Sequence, residues 1–82
     1  MSIEAIRAAT AVVRDQLLAA HRDVTNARER LTAALRTLTE LSGNHSESLV
    51  PAHLVRVDDQ LAGCLELIAG SLDSIERFVA GL

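Results

Sequence analysis

Tryptophan, tyrosine and lysine are absent from this chain, and phenylalanine, cysteine and proline occur once each. Each shortage excludes something. A basic face interleaved with aromatics, the usual footprint of a nucleic-acid binder, cannot be assembled from eight arginines, eleven acids and Phe78, so no nucleic-acid partner is expected. One cysteine, Cys64, rules out an internal disulfide, and no Cys/His cluster replaces it. No stretch approaches the roughly 18 consecutive apolar residues of a membrane span, so no membrane association is expected. The start, Met1-Ser2-Ile3-Glu4, lacks the basic residues and apolar run of a signal peptide, which makes the cytoplasm the expected compartment.

What is present is apolar and periodic. Alanine and leucine, 13 of each, lead a hydrophobic fraction of 49% in 82 residues. From Ile3 to Leu41 the apolar residues keep a seven-residue repeat: Ile3, Thr10, Leu17, Val24, Leu31, Leu38 beside Ile6, Val13, Ala20, Ala27, Ala34, Leu41. After a polar break the repeat resumes as Leu54, Leu61, Ile68, Ile75, Leu82 beside Val57, Cys64, Ser71, Phe78. Repeats sustained this long indicate long packed helices. The chain is one all-α domain, expected as an antiparallel two-helix hairpin of coiled-coil type.

Ser2 is a good N-cap, with Glu4 suited to the positive first turn. No Gly or Pro interrupts the pattern before Gly43, where a left-handed C-terminal cap belongs. The first helix is therefore predicted over about 3–42 and a polar loop over about 43–49. A second helix is predicted over about 50–80, with Pro51 in its first turn. Setting Leu41 opposite Leu54 pairs Ala34 with Leu61, Ala27 with Ile68, Leu31 with Cys64 and Leu17 with Phe78, so small meets large. This register makes Leu17, Val24, Ala27, Leu31, Leu38, Leu61, Cys64, Ile68, Ile75 and Phe78 the expected hairpin core. It leaves Leu65, Leu72 and Val79 as a surplus row, and Ile3 and Ile6 beyond the end of the second helix. These five are the expected partner contacts, in a homodimeric four-helix bundle or with a paralogous hairpin. Cores of roughly 70–80 residues seldom supply more than about 3–5 kcal/mol, which also argues for a partner.

Candidate chemistry is thin. His45, Glu47 and His53 bracket the hairpin tip, but zinc needs three or four fixed, converging ligands, so no metal and no cofactor are expected. Asp59, Glu66 and Asp73 repeat every seventh residue, at about 10 Å, too far apart for a catalytic carboxylate pair. Gly63 and Gly70 inside the second helix hint at a close backbone approach. The segment Arg14-Asp15-Gln16-Leu17-Leu18 with Arg22 resembles, over one or two turns, the first helix of all-helical chorismate mutases. That family's further cationic residues, typically including a lysine, have no counterpart, and no enzymatic activity is expected.

In length, in its two long antiparallel helices and in its mid-chain polar loop, the chain resembles the WXG-type secreted hairpins of actinobacteria related to the early secreted antigen. Of that family's Trp-x-Gly turn only Gly43 stands in Leu41-Ser42-Gly43, and its C-terminal Tyr-x-x-x-acid export signal has no counterpart. The leading expectation is a non-catalytic, self-associating helical interaction or accessory protein. The resemblance implies a second, a leaderless secreted substrate or partner of a WXG-type export system. A third is a small ligand-binding bundle, with a cavity where Ala20, Val24, Ala27, Ser71 and Phe78 meet.

Overall fold

The computed structural model describes residues 1–45 and 47–82. Two helices account for nearly all of it, α1 over Ile3–Ser42 and α2 over Ala52–Ala80, and no strand occurs among the described residues. Arg14 reaches Glu76 and Arg28 reaches Asp58, so the helices run antiparallel as a hairpin of 65 × 15 × 14 Å.

α1 starts where its sequence provides a cap. Ser2 is extended at φ −74° and ψ 156°, and its hydroxyl accepts the Ala5 N–H at 3.0 Å, with Glu4 in the first turn. The other end departs from expectation. Gly43 is right-handed, at φ −60° and ψ −19°, rather than a left-handed cap. Its N–H donates to the Thr39 carbonyl, while Asn44 N–H donates to Leu41 and His45 N–H to Ser42, at 3.0–3.2 Å. These short-reach turns satisfy the last carbonyls, so no left-handed residue is needed. The Ser42 hydroxyl donates to the Leu38 carbonyl at 2.8 Å and accepts the Leu49 N–H at 2.6 Å, which ties the loop to the end of α1.

Pro51 also shifts by one position. It caps α2 in extended geometry (φ −66°, ψ 134°) instead of lying in the first turn, so the helix begins at Ala52 rather than about 50. The Pro51 carbonyl takes the N–H groups of Leu54 and Val55 at 3.1 and 3.4 Å.

The seam uses the expected repeat with a different neighbour row. On α1 the half-buried side chains include Thr10, Leu17, Val24, Leu31 and Leu38, joined by His21, Arg28, Leu35 and Ser42 four residues further along each heptad. On α2 they include Leu54, Leu61, Ile68 and Ile75, joined by Asp58, Leu65, Leu72 and Val79. Two helices cannot enclose a side chain on all sides, and among the described residues none is fully buried. The accessible surface is 6062 Å². A compact chain of this mass would expose about 4,800 Å². The radius of gyration, 18.9 Å, likewise exceeds the roughly 12 Å of a compact domain of this length.

Candidate interaction face

Eight of the ten expected core residues, Leu17, Val24, Leu31, Leu38, Leu61, Cys64, Ile68 and Ile75, are half-buried. Two corrections follow for the others: Ala27 is exposed, and Phe78 is 54% exposed. Leu65, Leu72 and Val79, expected at a partner contact, are half-covered within the hairpin. Ile6 is half-buried, whereas Ile3 stays 53% exposed. The cause is a rotation of both helices by one row. Arginine and histidine bring enough aliphatic and ring surface to flank the leucines while their polar heads stay wet. Arg28 and Leu35 thus take the place expected for Ala27 and Ala34, while Ala20 stays half-buried beside His21.

The rotation sorts the hairpin into two broad faces. Helices running in opposite directions turn oppositely when viewed from one end, so equal offsets from the seam emerge on the same side. Arg14, Arg28, Asp58 and Glu76 come out on one side, where Arg28 Nε donates to Asp58 Oδ1 at 3.0 Å and Arg14 Nε lies 3.6 Å from Glu76 Oε1. The hydrogen bond to Asp58, helped by its negative charge and by that of Asp59, raises the Arg28 pKa above its usual value against a smaller effect of burial. Two shallow hollows lie on this ion-paired side, one bordered by Arg28, Arg36 and Leu65, the other by Arg14, Ile75 and Val79.

The opposite side carries the rows that flank the seam, of which Ala20 and Cys64 are half-buried. α1 contributes Val13, Ala20, Ala27, Ala34 and Leu41; α2 contributes Val57, Cys64, Ser71 and Phe78. Of the large members, Val13, Leu41, Val57 and Phe78 are 39–54% exposed, and Leu67 on the adjoining row of α2 is 75% exposed. Scattered apolar residues are ordinary on a surface; an aligned double row is not. Leu67 stands outside the three apolar rows that the repeat identifies on α2.

No ligand-binding geometry accompanies this face. Ala27, Ser71 and Phe78 open to solvent, so the cavity expected at Ala20, Val24, Ala27, Ser71 and Phe78 is not formed within the chain. Among the described residues no three His, Cys, Asp or Glu side chains converge as metal ligands. A methyl group added at Gly63 or Gly70 would meet nothing within 4 Å, so neither marks a close backbone approach within the hairpin. Among the described residues no helix is long and apolar enough to cross a membrane. No family model, curated protein or solved structure matches the chain.

Proposed function

We propose that the protein is a non-catalytic helical interaction protein that works as a self-associated hairpin. The observation supporting this is the double apolar row, Val13 to Leu41 on α1 and Val57 to Phe78 on α2, open along one side of a hairpin with no closed interior. The excess surface gives the scale. At 6062 Å² the chain exposes about 1,300 Å² more than a compact fold of its mass. A standard protein interface removes about 800 Å² from each partner, so one such contact would absorb more than half of this excess. A two-fold dimer is the commonest closed solution and yields a four-helix bundle. The contact belongs to the open double row and to Ile3, while Leu65, Leu72 and Val79 serve the hairpin itself.

The hairpin shape also suits the reading as a substrate or partner in a WXG-type export system, where the same face would meet a paralogous hairpin. Sedimentation velocity of the purified chain between 1 and 100 μM separates the two. Self-association requires a species of twice the 8.8 kDa chain mass within that range. A lone chain that pairs only after a second hairpin is added favours the export reading. A well-folded lone chain that ignores both rejects the two together.

A further inference from the structure

The α1 row of the open face is symmetric about its middle. Along α1 it runs Val13, Ala20, Ala27, Ala34, Leu41: large, three small, large, centred on Ala27. On α2 the row runs Val57, Cys64, Ser71, Phe78, and Cys64 is its member nearest the level of Ala27. The Arg14–Glu76 and Arg28–Asp58 pairs, with the hollow that Arg28 and Leu65 share, place Ala27 within about one turn of Cys64 along the hairpin.

We infer that this face takes a second copy of the chain, related by a two-fold axis crossing the hairpins at the level of Ala27 and Cys64. α1 then lies antiparallel on α1, and α2 on α2, with the loops at opposite ends. The inference rests on the self-association proposed above and specifies its geometry. Alanines at 20, 27 and 34 let the two α1 backbones approach closely near the axis, while each Val13 meets the other copy's Leu41, filling the ends where the alanines leave off.

The rim supplies charge complementarity. Asp23 and Arg30 lie on the outer edge of the α1 row, nearly equidistant from Ala27 on either side, so the axis carries each Asp23 to the other copy's Arg30. Within the chain Asp23 has only Arg22, at 3.9 Å, and Arg30 has no ion-pair partner among the described residues. α2 adds no like-charge clash, because Asp58, Asp59, Glu66, Asp73 and Glu76 all fall on rows away from the open face.

The ends agree. α1 has 40 residues against 29 in α2, so Ile3 projects past the C-terminal end of α2 and stays 53% exposed. The same axis brings it to the other copy's loop, where Leu49 is 40% exposed. A two-fold axis parallel to the helices would instead lay α1 on α2, leaving Ile3 uncovered and Asp23 away from Arg30.

Cys64 reports the arrangement directly, since the axis brings it to its own copy. Oxidation of the wild-type chain at 10 μM with copper phenanthroline should join most chains through Cys64, as read on a non-reducing gel. The variant A27C/C64S should cross-link in the same way, because Ala27 also lies on the axis. A27E places two like charges there and should weaken dimerisation by at least about 100-fold, with helix content checked by circular dichroism. D23R and R30D should each weaken it by roughly tenfold, and D23R/R30D should return it to near the wild-type value. A chain that stays monomeric overturns this geometry and the self-association reading together. A dimer in which neither Cys64 nor the A27C/C64S thiol cross-links, or in which the double charge swap fails to rescue, overturns the geometry alone and leaves self-association through another face.

Discussion

Arg14 and Arg28 stand on one side of the hairpin in rows whose counterparts on the other side are filled by alanine and valine, and the two faces consequently differ in what they need. On the ion-paired face the arginine heads reach Glu76 and Asp58, and arginines border the same hollows as Leu65 and Val79. That face leaves fewer large apolar side chains open, Leu18 and Val55 at 43% and 46% exposed. On the open face Ala20, Ala27 and Ala34 are too short to cover anything, and Val57, Leu67 and Phe78 remain 39–75% exposed. Side-chain reach rather than hydrophobicity distinguishes the ion-paired side of this hairpin from the open one.

The sharpest way to break this contrast is to place a charge on each side. Leu72→Glu puts a carboxylate into the half-buried seam, removing about 2–3 kcal/mol of burial and adding a desolvation cost. Helix content measured by circular dichroism should collapse at every protein concentration, because a chain of this size has only about 3–5 kcal/mol to lose. A fully helical Leu72→Glu variant would mean that the seam does not run through this row.

Phe78→Ala probes the open face without adding charge. Just over half of the ring is exposed in the lone hairpin. Covering that surface is worth about 2 kcal/mol, so the dimer dissociation constant should rise about 30-fold. Monomer unfolding in urea should change much less. If the loss appears in monomer stability instead, Phe78 belongs to the hairpin core, as the small-to-large register expected.

Smaller effects are expected away from both faces. A methyl group at Gly63 or Gly70 meets open space, so Gly70→Ala should stabilise α2 by about 0.5–1 kcal/mol through helix propensity. Urea unfolding should record that gain with the dissociation constant unchanged. A loss of affinity would show that a second chain approaches this row.

How much of this was legible in the sequence depended on side-chain length. The helices, their ends to within about two residues and the Ser2 cap follow from unbroken heptads and local capping chemistry. The seam was harder, because each helix carries three adjacent rows that can serve, while a hairpin uses two. Counting alanine as apolar favoured the row of Ala20, Ala27 and Ala34, although alanine has little surface to bury. The row of Arg14, His21, Arg28 and Leu35 reads as polar by residue type, yet its methylenes and ring pack while Asp58 and Glu76 receive the guanidinium heads. Gly43 misled for a related local reason: the loop folded back through Ser42 and Leu49, and no left-handed turn was required.

We propose the hairpin as half of a folded unit, completed by a second copy on its open face. Completion by a second copy is tested most directly by the concentration dependence of thermal unfolding, since dimerisation couples stability to protein concentration by mass action. Between 1 and 100 μM the wild-type Tm should rise by several degrees, and the same series for A27E should be flat at a lower Tm. A wild-type Tm that is high and independent of concentration, with Leu67 and Phe78 open to solvent, would contradict the account.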